Sequence, residues 1–205
     1  MKIDRIEPSK HKKGRILVFF EDDSLLKITE AELLDFALQV GQDLSPETLV
    51  ALKEAGEKSS WKATGAAMTG RRMLSRKEVK ERLVKKGAEE QEAEETAAWL
   101  TELGAVDDAA YAGVIVRHYA ALGSGSGRIR QEFVKRGIAK DLWEEALTQL
   151  GDPAAAIEKF VAGKMRTGDK KERKKIADAL LRRGFSWNDI RPVLNRWGEE
   201  IEEEV

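Results

Sequence analysis

The chain has 205 residues with 36 Lys plus Arg, 37 Asp plus Glu, two His and no Cys, which gives a formal net charge of −1. The absence of cysteine excludes a disulfide scaffold, a Cys-ligated zinc site and a thiol nucleophile. The longest apolar stretch, residues 109–116, is far shorter than the ~20 residues that span a bilayer. We therefore expect a cytoplasmic protein that binds a partner, without enzymatic activity, a cofactor, a metal or a membrane.

Strand signals dominate the beginning of the chain. Residues 15–20 (RILVFF) and 24–28 (SLLKI) are rich in apolar and β-branched side chains, and the acidic residues 21–23 between them supply a turn. Residues 2–6 are a candidate third strand. We predict an N-terminal β-hairpin followed by short helices over residues 1–60.

Two short helices are predicted to complete this N-terminal segment. Thr29 is placed to cap the first helix, and Ser45 followed by Pro46 marks the start of the second. We expect the second helix to span residues 46–55, and residues 56–60 to be a connector.

Three similar segments follow. Each contains an apolar pair, a basic pair and a glycine: LVKKG at 83–87, FVKRG at 133–137 and LLRRG at 180–184. An aliphatic residue precedes each apolar pair by four positions, and further apolar residues recur at the same distances after each glycine. Apolar residues at i and i+4 share one helix face, and glycine adopts the left-handed conformation that ends many helices. The pattern predicts a helix, a glycine turn and a second helix, three times over.

A further helix is expected before each of these pairs, so that every repeat contains three helices. Single units of this size bury little surface, whereas tandem units share interfaces and form a curved array. The predicted fold is mainly α, a tandem array of three three-helix repeats preceded by a small N-terminal β-containing segment. We place the repeats at residues 61–104, 105–151 and 152–198, and an acidic tail at 199–205.

The near-zero net charge conceals blocks of like charge. Residues 71–86 contain eight basic and two acidic residues, residues 117–136 five and one, and residues 159–196 twelve and four. Residues 89–108 contain eight acidic and no basic residues. Basic blocks can bind polyanions or an acidic protein face. They can equally be solvated helix faces, and a basic pair at a helix end also complements the helix dipole.

A glycine-rich segment at residues 123–128 (GSGSGR) invites a phosphate-loop interpretation. However, a nucleotide-binding loop follows a strand and ends in Lys-Ser or Lys-Thr, whereas this segment follows a predicted helix and lacks that ending. We interpret it as a flexible interhelical loop whose Ser126 caps the next helix. The acidic run at 89–95 lacks the desolvation that catalytic carboxylates require.

The segment from Val106 to Ile138 resembles the central signature of the RecX family, bacterial regulators of the RecA recombinase. The matching residues are VDDAAYA at 106–112, Arg117, Gly123, Gly125, RIRQEF at 128–133 and KRGI at 135–138. The resemblance extends to the tandem repeats over residues 61–198. It implies a non-enzymatic modulator in DNA repair that binds the RecA–DNA filament and inhibits its strand exchange, coprotease and ATPase activities.

The resemblance also implies a set of basic contact residues. Those within the central motif are Arg117, Arg128, Arg130, Lys135 and Arg136. Lys85, Lys86, Arg182 and Arg183 occupy the same repeat positions, and internal symmetry alone adds them. We expect a monomer that binds the RecA filament and, weakly, single- or double-stranded DNA. The alternative is a stand-alone nucleic-acid-binding protein built from helix-turn-helix-like repeats.

Overall fold

A computed structural model of the protein describes the backbone of residues 1–203 and the side chains of residues 1–197. Three strands and ten α-helices occupy this part of the chain, so the fold is mainly α with a small N-terminal sheet, as predicted. The chain divides into two compact units. Unit 1 comprises Met1–Arg72 and Val79–Val106, and unit 2 comprises Met73–Glu78 and Asp107–Val205. No helix within the described residues is both long and apolar enough to cross a lipid bilayer.

The three strands form an antiparallel sheet at the start of unit 1. Strands β1 (Ile3–Pro8), β2 (Arg15–Phe20) and β3 (Leu25–Thr29) pair in that order. Alternate residues of β2 are buried, as expected for a strand with one face on a core. Helix α1 (Glu30–Asp35) begins directly after Thr29, whose backbone N–H donates to the Glu32 carboxylate at 2.6 Å. All three strands and the Thr29 cap were predicted from the sequence.

Helix α2 (Pro46–Thr69) is longer than predicted. It starts where the sequence indicates, because Ser45 Oγ accepts the Thr48 N–H at 3.1 Å and Pro46 takes the first helical position. The predicted connector at residues 56–60 is wrong, since the backbone remains helical through it.

Two glycines inside α2 allow close packing and do not end the helix. A Cβ on Gly56 would lie 3.1 Å from the Lys27 carbonyl oxygen of β3, and a Cβ on Gly65 would lie 2.9 Å from Leu100 Cδ1. Glycine therefore lets α2 pack closely against its neighbours in unit 1. The residue type that indicated a loop serves packing instead.

Eight further helices follow α2. They are α3 (Arg76–Val84), α4 (Glu90–Glu102), α5 (Asp108–Ala121), α6 (Ser126–Arg136), α7 (Trp143–Leu147), α8 (Pro153–Lys164), α9 (Lys170–Arg182) and α10 (Trp187–Glu203). Two short 3₁₀ turns flank α7. The predicted limits of the three repeats stay predictions.

The last helix extends beyond its predicted end. Helix α10 passes through Gly198 and its backbone continues to Glu203. The side chains of the predicted acidic tail, residues 199–205, lie outside the described ones, as does the backbone of residues 204 and 205.

The glycine turns of the repeats have the predicted conformation. Gly87, Gly137 and Gly184 have φ angles of 102°, 71° and 88°, in the left-handed region. In each apolar pair the first member is fully buried and the second is exposed. The buried members are Leu83, Phe133 and Leu180, and the exposed members are Val84, Val134 and Leu181.

The helix starts also agree with the sequence. Ser75 and Glu78 exchange the two hydrogen bonds of a capping box, each 3.1 Å long. Aspartates cap three further helices by accepting a backbone N–H in the first turn. They are Asp107 for α5, Asp152 for α8 and Asp169 for α9.

In unit 2 the first turn of α6 packs against the glycine turn that ends α9. The Gly125 N–H donates to the Arg183 carbonyl and the Gly127 N–H donates to the Gly184 carbonyl, both at 2.9 Å. Unpaired N–H groups at one helix start thus satisfy unpaired carbonyls at another helix end. We predicted a flexible loop whose Ser126 caps the next helix, and this prediction is wrong. Gly125 is the N-cap of α6, and the loop is hydrogen-bonded to the turn that follows α9.

This contact leaves no space for a side chain. A Cβ on Gly125 would lie 2.4 Å from the Gly184 carbonyl oxygen, and a Cβ on Gly184 would lie 2.2 Å from the Arg128 nitrogen. Both neighbours are backbone atoms, which cannot move aside as a flexible side chain can. Glycine is therefore required on both sides of the contact.

The glycine turn after α6 is contacted in a related way. Ser75 Oγ, at the start of α3, donates to the Arg136 carbonyl at 2.5 Å, and Lys77 Nζ donates to the Lys135 carbonyl at 3.3 Å. Here the donors are side chains rather than backbone amides. In both contacts, a helix start meets the glycine turn of the following repeat.

Glu172 orders the segment before α9. Its carboxylate accepts the backbone N–H groups of Arg166, Thr167 and Gly168 at distances between 2.8 and 3.1 Å. These hydrogen bonds, that from Arg166 foremost, lower the pKa of Glu172 from 4.5 to about 2. The carboxylate is therefore charged at neutral pH and stabilises the fold in that form.

We expect Gly184→Ala to destabilise unit 2 far more than Gly123→Ala. Both glycines have positive φ angles and share a strain of ~1 kcal/mol on substitution, but only a methyl group at residue 184 collides with backbone. The collision should add ~2 kcal/mol, typical of overpacking. Urea denaturation monitored by tryptophan fluorescence measures the free energy of unfolding of each variant. Equal losses of this free energy in the two variants would contradict the close contact.

Glu172→Gln should reduce thermal stability at neutral pH and change its pH dependence. Because the folded pKa lies below the unfolded one, the charged carboxylate stabilises fully above about pH 5, and this contribution disappears as the pH falls towards 2. Melting curves of the wild type and the variant should therefore converge in acid. A difference in melting temperature that stays constant with pH would disprove the assignment.

Candidate functional site

The nine predicted contact residues fall in both units. Lys85 and Lys86 belong to unit 1, and the other seven belong to unit 2. Their surroundings differ, although six of them occupy equivalent positions in the repeats.

The first basic pair lines a groove in unit 1, which we call the basic groove. Its lining residues are Met68, Arg71, Arg72, Arg82, Lys85 and Lys86, and its volume is about 400 Å³. No acidic side chain lines the basic groove, and none of its five cations forms an ion pair among the described residues. Like charges gathered around one concave surface create a positive potential that attracts anions.

Three arginines of the basic groove were not among the predicted contact residues. Arg71 and Arg72 follow the end of α2, and Arg82 lies in the last turn of α3. The signal was present in the sequence as the basic block at residues 71–86. Only the structure shows which members of that block line the same groove.

The second basic pair is divided between the interior and the surface of unit 2. Arg136 Nη1 donates to Glu78 Oε1 at 3.4 Å and to the Tyr111 hydroxyl, and its Nε lies 3.5 Å from Glu132 Oε2. Burial alone would lower the pKa of Arg136, but Tyr111, Glu78 and Glu132 raise it above its ordinary value. Lys135 is exposed and forms no ion pair with any described residue.

Both members of the third basic pair are exposed, and they differ in their contacts. The Arg183 guanidinium lies 4.7 Å from the centre of the Phe160 ring and donates to the Leu122 carbonyl at 3.4 Å. Arg182 is exposed, without an ion pair within the described chain. In repeats 2 and 3, the first basic residue thus has no ion pair among the described residues, whereas the second contacts other residues of its own unit.

The remaining three arginines have side-chain partners in unit 2. Arg117 Nη1 donates to Gln149 at 2.8 Å, Arg128 lies 3.5 Å from Glu132, and Arg130 lies 3.2 Å from Glu144. The Arg130–Glu144 ion pair is exposed on both sides and contributes ~0–1 kcal/mol, whereas the Glu132 partner of Arg128 is buried. A partner with its own anionic groups can therefore displace Glu144 from Arg130.

The described residues contain no group of three or more His, Cys, Asp or Glu side chains that could hold a metal ion. The prominent chemistry of both units is instead exposed positive charge at helix ends.

Comparisons with known proteins agree with this architecture. The second three-helix domain of RecX matches residues 107–147, and the third matches residues 155–194. These ranges coincide with helices α5–α7 and α8–α10. Regulatory protein RecX of Lactobacillus delbrueckii subsp. bulgaricus is 28% identical over 200 residues, covering 94% of this chain and 74% of that protein. The two matched domains and this relative support the RecX family for the chain.

Further relatives and solved structures extend the likeness. Regulatory protein RecX of Xanthomonas axonopodis pv. citri is 34% identical over 96 residues, covering 45% of this chain and 59% of that protein. A crystal structure of regulatory protein RecX has a TM-score of 0.79 at 23% identity and covers 95% of this chain and 98% of its own. RecX from Lactobacillus salivarius has a TM-score of 0.61 at 23% identity, with 71% and 96% covered. The two structures share the RecX fold with this chain.

Arg136→Ala should destabilise unit 2 by ~2 kcal/mol, because it removes the cation that Glu78 shares with the buried Glu132 and leaves Glu132 with Arg128 alone. The adjacent Lys135→Ala should change stability by less than about 0.5 kcal/mol, as is usual for an exposed side chain. Denaturation curves of the two variants provide the comparison. Similar effects would mean that the two members of the basic pair are equivalent.

Proposed function

We propose that this chain is a non-enzymatic regulator, and specifically an inhibitor, of the RecA recombinase. It binds the RecA–DNA filament in the cytoplasm through basic faces of its helical repeats. Binding modulates filament growth, ATPase activity and strand exchange. Similarity to the RecX family, whose curated relatives are named regulatory proteins, supports the regulatory role.

The basic groove is the observation that carries the binding mode. Five cations line one concave surface without a neighbouring carboxylate to neutralise them. Maintaining this arrangement costs electrostatic repulsion, which an anionic partner relieves. Acidic protein side chains and DNA phosphates are both available on a nucleoprotein filament.

The burial and the ion pairs of the basic residues support a narrower proposed set of contact residues. Arg136 is half-buried and paired with glutamates, and Arg183 lies against the Phe160 ring, so we assign contacts to the other members of the pairs and to the basic groove. The proposed contact residues are Lys85, Lys86, Lys135, Arg182, Arg71, Arg72 and Arg82. Arg117, Arg128 and Arg130 join them where a partner displaces their contacts within unit 2.

The test is the ATPase activity of RecA on single-stranded DNA, titrated with this protein. We expect the wild type to inhibit the ATPase, and the triple variant R71Q/K85Q/K86Q to need at least about tenfold more protein for the same inhibition, equivalent to ~1.4 kcal/mol of binding free energy. The substituted side chains are exposed, so circular dichroism and the melting temperature should remain those of the wild type.

The matched control is K2Q/K58Q/K80Q. It removes the same charge from unit 1, but these lysines already pair with Glu21, Glu95 and Glu90. The control should inhibit like the wild type. Equal losses in both variants would show that net charge matters rather than the basic groove, and a wild type without effect on the ATPase would overturn the proposed function.

Stand-alone nucleic-acid binding is the second candidate, because the same groove could accept phosphates directly. The two candidate functions predict different relative affinities for RecA-coated and naked DNA. A RecA regulator should bind RecA-coated DNA more tightly than naked DNA, whereas equal affinities would favour the stand-alone function.

A further inference from the structure

A second concentration of positive charge lies in the N-terminal part of unit 1. A cavity of about 360 Å³ runs beside β3 and α2, and five cations line it: Lys12, Lys13, Arg15, Lys27 and Lys53. Glu57 is the one acidic residue among those that line the cavity. We call this set of five cations the strand cluster.

The fold brings the strand cluster together from three separate parts of the chain. Arg15 begins β2 opposite Thr29 of β3, and Lys27 lies in β3, the edge strand that lines the cavity. Lys53 comes from α2, which approaches β3 closely because Gly56 has no side chain. Lys12 and Lys13 come from the turn between β1 and β2.

The strand cluster is not neutralised within its own unit. None of its five side chains forms an ion pair among the described residues, whereas Lys2, Lys58 and Lys80 of the same unit each contact a glutamate. The chain therefore pairs lysines elsewhere in unit 1 but leaves these cations open to solvent. Folding alone gives no reason to concentrate them around one cavity.

The composition of the strand cluster suits phosphate groups. Four of its five cations are lysines, which bind phosphate as point charges, and the planar guanidinium of Arg15 also matches a phosphate group. Leu25 also lines the cavity and is 44% exposed, so it offers an apolar contact to a sugar or base. A nucleic-acid strand presents phosphates and apolar base faces side by side.

We propose that the strand cluster is a nucleic-acid contact site that binds the phosphodiester backbone. This assignment goes beyond the proposed function, since it requires no recombinase and gives the N-terminal segment a role of its own. The site tethers the protein to DNA while the basic groove remains available to another partner.

The test compares the wild type with K12Q/K13Q/K27Q/K53Q, using fluorescence anisotropy of a labelled oligothymidylate and of a duplex of equal length. The variant's affinity should fall at least about tenfold for whichever of the two probes, oligothymidylate or duplex, the wild type binds more tightly. The slope of log Kd against the logarithm of the salt concentration should decrease by about two to three, since each phosphate contact on a single strand contributes ~0.7 to this slope. The control K2Q/K58Q/K62Q/K80Q, with the same loss of charge, should bind like the wild type.

Two outcomes of this comparison would overturn the proposal: equal losses of affinity in both variants, or no loss in the strand-cluster variant. A third would be displacement of the oligonucleotide by polyglutamate at equal charge concentration, because the site would then recognise acidic protein surfaces instead.

A second measurement uses the wild-type protein and so does not depend on variants. Lysine acetylation followed by mass spectrometry should show Lys12, Lys13, Lys27 and Lys53 protected by the oligonucleotide, with Lys2 and Lys58 unchanged. Uniform acetylation with and without the oligonucleotide would contradict the site.

Discussion

Close backbone contact at a glycine turn organises unit 2. The amides of Gly125 and Gly127 meet the carbonyls of Arg183 and Gly184 at 2.9 Å, at a separation that a single methyl group would prevent. The contact satisfies polar groups that a helix start and a helix end otherwise leave unpaired. Because it joins the second repeat to the third through main-chain atoms, it depends on the absence of side chains more than on their identity.

The basic pairs lie beside these glycine turns, and their contacts depend on that position. Each pair immediately precedes a glycine turn, and in unit 2 both turns are contacted by another helix start. The residue next to the glycine contacts other side chains of unit 2: the half-buried Arg136 contacts Glu78 and Tyr111, and the exposed Arg183 contacts Phe160. The residue before it is exposed and has no ion pair among the described residues. One short sequence pattern thus supplies both a structural cation and a candidate contact cation.

Much of the local structure was predictable because it follows from short-range chemistry. The strands, the helix start at Ser45 and the left-handed glycines depend on neighbours in the chain, and the structure confirms them. The continuity of α2 through Gly56 was not predictable, because it depends on packing against β3. The division of the basic pairs was hidden for the same reason: Arg136 and Lys135 look alike in sequence, and only Tyr111 and Glu132 distinguish them. The basic groove was visible in part, as a block of charge.

Amide hydrogen exchange at Gly125 and Gly127 tests the central contact most directly. Both residues lie in a glycine–serine segment that the sequence suggests is flexible, so weak protection would be the ordinary expectation. If their amides donate to the Arg183 and Gly184 carbonyls, they should exchange only with opening of unit 2, as slowly as the core amides of α9. Exchange at the rate of an unstructured chain would contradict the account.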